Sequence, residues 1–426
     1  MFFGLMYVLG GNKMVNIAIM GHGVVGSGVV EVLNLNSDNI CARAGQQIKV
    51  ARILDLREFN DLPYSNLFTK DFNDILNDDS ISIVVEAMGG LEPSYEFTKA
   101  LLKAGKSVVS SNKELVAQKG DKLLALAKEN NVNYLFEASV GGGIPIIRPI
   151  HSCLAANKIE CIQGILNGTT NFIITKMIKD NISFDKALEL AQQKGYAEKD
   201  PTADIGGADA NRKICILASL AYGKHIYPHE VHQYGIEDVT LADVDFAKSM
   251  GCVIKLIGRA TQLENGKVSI MVCPVFLPVS SKLAKIDDVY NAVVVKGNAV
   301  GEVLFVGAGA GKMPTASAVV ADVVDAVKAE HTSISQYWNP SDGTVVSNYR
   351  EDIMRFYLRL KVDNIEKAKE FIFENYESPV ILSRLNQPDD EIAFKTDFML
   401  EDKVKKLTEE LQNRGFKQLS KLRIID

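Results

Sequence analysis

The chain has 426 residues, 47% hydrophobic and 23% charged, with a formal net charge of −6. That length calls for two or three domains of a water-soluble globular protein. The acidic balance without a basic cluster argues against nucleic-acid binding, and six cysteines without a C-x-x-C pair read as reduced and cytoplasmic.

Residues 1–12 are apolar and uncharged. They are too short to span a membrane and lack a signal peptide's basic start and cleavage site, and Met14 offers an alternative start. No other run is apolar and long enough for a membrane segment. Residues 15–20 read as a strand, GHGVVG at 21–26 as a turn, and 24–35 as a helix. In that order Gly21, Gly23 and Gly26 let backbone approach a pyrophosphate, while N–H groups around Val24 and Val25 face its charge. A purely structural turn is the alternative.

Further strands are expected at 48–55, 81–87, 107–110 and 133–137, with helices at 94–104 and 121–130. This alternation predicts a mostly parallel sheet covered on both faces, with a dinucleotide across the carboxyl ends of its strands. Residues 36–47 read as an inserted loop. Asp55 ends the second strand, where it would accept from an adenosine ribose or simply lie exposed. Arg52 and Arg57 would instead meet a 2′-phosphate, so the cofactor's phosphorylation state stays open. Lys113 falls at the carboxyl edge, where an ammonium would polarise a carbonyl or deliver a proton. Glu137 and the glycine-rich turn with Val140, Gly142 and Ile144 offer hard oxygen ligands for a small cation. A solvated lysine and a structural turn are the bland readings of these two features.

From 151 to about 311 the pattern becomes α+β, with helices near 171–179, 185–194 and 208–222 and strand-like runs at 268–274, 293–295 and 302–306. Residues 315–329 suggest a close-packing helix that returns to the first domain. Beyond 348 the runs 356–362, 365–374 and 404–415 suggest a small strand-and-helix module. His225, His229 and His232 are interrupted by Pro228 and predict no metal site.

The densest polar cluster is GYAEKDPTADIGGADANRK, from Gly195 to Lys213. On a helix Asp209 and Lys213 share a face that Ile216 and Leu220 continue, so the pair is expected to point inward. The alternative is an exposed i,i+4 pair of little energetic weight. Glu198, Asp204 and Asp209 suit an amino-acid substrate, whose ammonium they would pair with.

Together GHGVVGSGV, EAMGGLEPS, VVSSNKELVA, EASVGGGIPIIRP, GILNGTTNFI, the Gly195–Lys213 segment and GAGAGKMPTASAVVAD resemble homoserine dehydrogenases. The matching segments follow the family's order from about residue 15 to 325. The resemblance implies a Rossmann-type doubly wound NAD(P)-binding domain at 14–150, completed by about 312–340. It also implies a catalytic, homoserine-binding and dimerisation domain at 151–311 and an ACT-like α+β regulatory domain at 349–426. The implied activity is NAD(P)-dependent interconversion of L-aspartate 4-semialdehyde and L-homoserine, an oxidoreductase step at a CH–OH group. That step serves threonine, methionine and isoleucine biosynthesis.

By the same resemblance Lys213 is the proton donor and Lys113 the lysine near cofactor and substrate. Glu198, Asp204 and Asp209 hold the amino end of homoserine. Gly195, Gly309 and Gly311 join Gly21–Gly26 and Asp55 as cofactor contacts. A sodium ion is held by Glu137 with backbone oxygens of Val140, Gly142 and Ile144. The implied assembly is a cytoplasmic homodimer or homotetramer with a small-molecule substrate and no nucleic-acid or membrane partner.

Two features depart from the family pattern. Leu54-Asp55 stands where Arg-Asp is usual, which favours use of NAD, although Arg57 would substitute. FYLRLKVDN resembles the start of an ACT module, but DNIEKAKEF follows without the usual glycine and proline. Threonine feedback is therefore not expected, and the module would serve to dimerise. Another amino-acid oxidoreductase on this scaffold, or a non-catalytic sensor, are the competing readings. The presence of both lysines argues against the sensor.

Overall fold

The computed structural model describes residues 14–329, 332, 334 and 338–425. The apolar leader and part of the expected 330–340 completion lie outside the described residues. The chain divides into two compact units, Met1–Arg148 with Ala310–Asn339, and Pro149–Gly309 with Pro340–Asp426.

In the first unit six strands form one parallel sheet: β1 (Met14–Met20), β2 (Gln47–Leu54), β3 (Phe68–Thr69), β4 (Ile81–Glu86), β5 (Ser107–Ser110) and β6 (Tyr134–Leu135). Their order is β3-β2-β1-β4-β5-β6, so the direction of winding reverses between β1 and β4. Such a reversal opens a crevice at the carboxyl ends of the strands. Ile17, Ile19, Val84 and Val85 are fully buried, as expected for strands covered on both faces. Helix Lys312–Lys328 belongs to this unit. Its Ala316, Val319 and Val323 share one core cluster with Ile17 and Val29. Gly28 permits that packing, because a Cβ there would lie 2.9 Å from Lys312 O.

Two expectations need correction here. The supposed loop at 36–47 contains helix Ser37–Ala44, which buries Ile40 and Ala44 one turn apart and stops at left-handed Gly45. The helix expected at 121–130 begins at Lys113 and runs to Glu129. Gly120 interrupts the helical reading, since glycine costs about 1 kcal/mol relative to alanine. It is accommodated because the Trp338 ring packs there, 2.7 Å from where a Cβ would be.

The second unit is built on a mixed sheet. Its strands are β7 (Ile159–Ile165), β8 (His232–Gln233), β9 (Cys252–Gln262), β10 (Val268–Pro278), β11 (Tyr290–Gly297) and β12 (Gly301–Ala308). The tail adds β13 (Ile353–Lys361), β14 (Val380–Leu382), β15 (Glu391–Lys395), β16 (Met399–Leu400) and β17 (Lys417–Ile424). The main sheet runs β12-β11-β7-β9-β10-β17-β13-β15-β14.

With helices Ile365–Asn375 and Glu401–Asn413, the tail is a βαββαβ unit. It is joined to the preceding strands by β10–β17 pairing at Val275–Arg423 and Phe276–Ile424. A buried network reinforces the joint. Asp243, fully buried, accepts from Tyr357 OH at 3.0 Å and Arg359 Nε at 3.1 Å, and Arg359 Nη1 reaches Glu391 at 3.0 Å. Among the described residues no helix is long and apolar enough to cross a membrane.

Candidate active site

β1 ends at the glycine turn. Gly21 has φ +92°, and its N–H donates to Leu54 O at 2.8 Å. A Cβ on Gly21 would meet Ala87 O at 2.7 Å, and one on Gly26 would meet Gly21 O at 1.9 Å. These two glycines therefore make the turn possible. Gly23, the N-cap of helix Val24–Leu35, has open space where a Cβ would point, and no side chain caps the helix. The first-turn N–H groups at Val24 and Val25 thus suit an anion.

Asp55 follows β2. Its Oδ2 accepts from His22 N at 2.8 Å and Arg57 Nη2 at 2.8 Å, while Oδ1 accepts from Arg57 N and Nε, each at 3.0 Å. The Arg57 side chain holds the carboxyl well below the usual carboxylate range. Asp55 is only 8% exposed whereas Arg57 is 62% exposed, so the cationic rim rather than the acid faces water.

Lys113 is half-buried at the first position of helix Lys113–Glu129, where a cation opposes the helix dipole. Asn112 caps this helix by accepting from Leu115 N, and donates to Gly90 O at 2.6 Å. Beneath it lies Glu86, a residue the sequence reading passed over. Its carboxyl, fully buried and pushed up by that burial, accepts from Ser110 Oγ at 2.6 Å and Met88 N at 3.0 Å. An acid ending an otherwise apolar strand was the available signal.

Glu137 is buried, and its carboxylate accepts the N–H groups of Ile146, Ile147 and Arg148 at 2.6, 2.9 and 2.8 Å. It therefore anchors the Val140–Gly142–Ile144 turn to the chain that follows. Asp322 braces the same segment by accepting from Glu137 N and Arg148 Nη2, each at 2.7 Å. Burial and the Glu137 carboxylate push Asp322 up to about 7. A cation at this turn would be left main-chain carbonyl oxygens as ligands. No group of three or more His, Cys, Asp or Glu side chains suited to a metal occurs among the described residues.

In the second unit, helix Ala208–Tyr222 carries Asp209 and Lys213 on its buried face. Lys213 Nζ donates to Asp209 Oδ2 at 2.8 Å and to Leu166 O at 2.8 Å. The two side chains are 8% and 5% exposed, which excludes the surface-pair reading. Asn167, not singled out from the sequence, caps helix Gly168–Asp180 through Oδ1, which accepts from Thr170 N at 2.8 Å. Its Nδ2 donates to Asp204 Oδ1 at 2.8 Å and Asp209 Oδ2 at 2.9 Å. The cap signature in GILNGTTNF was visible, but the bridge was not. Asn167 thus holds two carboxylates together, Asp209 also pairing with the Lys213 ammonium, and carboxylates suit an amino-acid ammonium.

Glu198 is exposed and not gathered into this cluster; its main-chain carbonyl accepts from Gln192 Nε2. Gly195, with φ +73°, terminates helix Phe184–Gln193, a conformation that explains glycine there. Gly309 allows close approach of Asn291, whose side chain would lie 2.1 Å from an added Cβ. Gly311, in the first unit, has φ +124° at the N-cap of helix Lys312–Lys328.

Residues 21–137 match the family model described as Homoserine dehydrogenase, NAD binding domain, and residues 145–324 the one described as Homoserine dehydrogenase. The homoserine dehydrogenase of Lactococcus lactis subsp. lactis is 37% identical over 357 residues, covering 82% of each chain. The crystal structure of a homoserine dehydrogenase from Thiobacillus denitrificans superposes with TM-score 0.90 at 35% identity, covering 97% of this chain and 99% of that one. A hyperthermophilic archaeal homoserine dehydrogenase in complex with NADPH matches with TM-score 0.63 and 31% identity, covering 74% of this chain and 98% of its own.

Proposed function

This chain belongs to the homoserine dehydrogenase family, and on that premise we propose that it interconverts L-aspartate 4-semialdehyde and L-homoserine through Lys213 and the acids around it. It is an NAD(P)-dependent oxidoreductase acting on a CH–OH group. When bound, the nicotinamide cofactor supplies or accepts the hydride. Its pyrophosphate belongs on the Gly21–Gly26 turn of the first unit, and its ribose beside Asp55 and Arg57.

In the second unit Lys213 protonates the developing alkoxide during reduction and takes the proton back during oxidation. The charge on the substrate oxygen is larger in the transition state than in the ground state, so the ammonium acts chiefly there. Asp209 holds Lys213 in place, and with Asp204 it receives the substrate ammonium. Asn167 fixes the spacing of those two acids. Glu198 joins them only if its loop turns inward on binding. Lys113 serves the cofactor side, as do Gly195, Gly309 and Gly311. The product feeds threonine, methionine and isoleucine biosynthesis.

Sodium belongs to this proposal only as an ion held by main-chain oxygens of Val140, Gly142 and Ile144. Unchanged activity on replacing sodium by choline would remove it. The observation that carries the reading is the buried Lys213–Asp209 pair braced by Asn167. The test is homoserine-dependent reduction of NAD and NADP by the purified chain, repeated with threonine. Turnover that Lys213→Ala abolishes and threonine leaves unchanged is the expected result. No turnover with either cofactor overturns the assignment.

A further inference from the structure

Helices Val24–Leu35 and Lys312–Lys328 both belong to the first unit. Each starts after a glycine, with no side-chain cap and no acid in its first turn. Lys312 stands at the first position of its helix, where the helix dipole favours an anion rather than a cation. It is the only charged side chain of that helix before Asp322, and Glu31 is the only one of helix Val24–Leu35. These two pair, Lys312 Nζ donating to Glu31 Oε2 at 2.6 Å.

The packing of the two helices sets where Lys312 can reach. A Cβ on Gly28 would lie 2.9 Å from Lys312 O and 3.0 Å from Lys312 Cγ. Val24, Gly28 and Glu31 fall at i, i+4 and i+7, on one face of their helix. Lys312 therefore lies over the middle of a stripe. Its carboxylate partner is at one end, and the first-turn N–H groups of Val24 and Val25 are at the other. Gly28 to Val24 is about 6 Å along the helix axis, within the sweep of a lysine's long flexible stem.

The ammonium is felt at the glycine turn even while it is paired. Burial is the main cause lowering the His22 pKa, opposed by Asp55, with Arg57 and Lys312 adding to it. Of these two cations, Arg57 is committed to Asp55 through both Nε and Nη2. Lys312 is held by an exposed pair, its side chain 43% and that of Glu31 52% exposed. Such a pair opens readily, because water and salt screen it.

We propose that Lys312 is a further cofactor-binding residue, handed over from Glu31 to the cofactor's pyrophosphate when that group settles on the Gly21–Gly26 turn. A charge-assisted bond to a phosphate oxygen then replaces the exposed pair. The inference rests on the cofactor placement proposed above. Glu31 competes with the cofactor for one ammonium, so the two residues should act on binding with opposite sign.

The test is calorimetric titration of the full chain with NADH and with NADPH at constant ionic strength. The parent is compared with Lys312→Met, Glu31→Gln and the double variant. Lys312→Met should weaken both cofactors roughly tenfold, as for one lost charge-assisted bond. Glu31→Gln should tighten both severalfold on its own and add nothing to Lys312→Met. Melting temperatures are measured alongside, since the pair also fastens one helix to the other.

Lowered melting temperatures with parental dissociation constants would make the pair a helix fastener and overturn the proposal. So would a loss confined to NADPH, which marks the 2′-phosphate, or tightening by Glu31→Gln that persists in the double variant. No binding by the parent removes the cofactor placement itself. Binding that Lys312→Met leaves intact removes the hand-over alone.

Discussion

Lys213 Nζ and Asp209 Oδ2 lie 2.8 Å apart on one turn of a helix, and neither side chain is more than a tenth exposed. A buried ion pair is costly to assemble and costlier to break from one side. The role proposed for Lys213 as proton donor would give the pair a task beyond holding the fold.

Replacing Lys213 by alanine should lower kcat by about two to four orders of magnitude, the usual scale for a lost proton donor. KM for homoserine should change far less. Because Asp209 loses its counter-charge, the melting temperature must be measured alongside. A variant with parental kcat would remove Lys213 from the reaction.

Asn167 bridges Asp204 and Asp209 while capping a helix, so its two roles separate by substitution. Asn167→Asp keeps a capping oxygen but adds a third acid to the cluster. Asn167→Ala also loses the cap, at about 1 kcal/mol. Both should raise KM for homoserine, and only the alanine variant should lose cap-dependent stability in denaturant titration. Equal KM in parent and both variants would limit Asn167 to capping.

Arg57 covers Asp55 and faces solvent. Arg57→Ala should reduce kcat/KM for NADPH roughly tenfold through loss of a charged hydrogen bond. The NADH value should hold or rise, since Asp55 becomes free to accept from a ribose. A parallel fall with both cofactors would show that Arg57 only shapes the turn.

His232 bears on acid stability. Burial is the main cause lowering its pKa from 6.5 to about 4, so the folded chain keeps the ring neutral where the unfolded chain takes a proton. Its contribution is therefore complete above pH 6.5 and is lost as pH falls toward 4. His232→Phe keeps an aromatic ring there and should flatten stability against pH across that window. An unchanged slope would mean that His232 titrates normally in the fold.

The tail is part of the second unit's interior through Arg359, which joins Asp243 to Glu391. Arg359→Met leaves buried Asp243 without its cation, while Glu391 keeps Arg384 Nε at 2.9 Å, and should cost about 3–5 kcal/mol. Denaturant unfolding monitored by far-UV circular dichroism would show it. A midpoint equal to the parent's would mean that the tail is only loosely attached.

Much of the first unit was legible because its signals are local. The GHGVVG turn follows an apolar strand and opens a helix, and Gly21 and Gly26 each answer a nearby steric demand. The Asp209–Lys213 pairing was likewise written in an i,i+4 spacing and a continuous apolar stripe. Local patterns failed where distant partners reverse a residue's ordinary preference. β9 was missed because Lys255 reads as a surface residue. In the fold it is buried against Asn171 Oδ1 at 3.0 Å and Asp287 Oδ1 at 3.1 Å.

What the amino-acid order determined alone was therefore period, turn chemistry and which residue types lie one helical turn apart. The tertiary structure decided which of them meet. Asn167 reaches Asp204 and Asp209 across 37 and 42 positions, and Asp55 receives His22 N across 33. No local spacing encodes such contacts. They form because closing the fold removes water from these groups, and each must then find its partner within the protein.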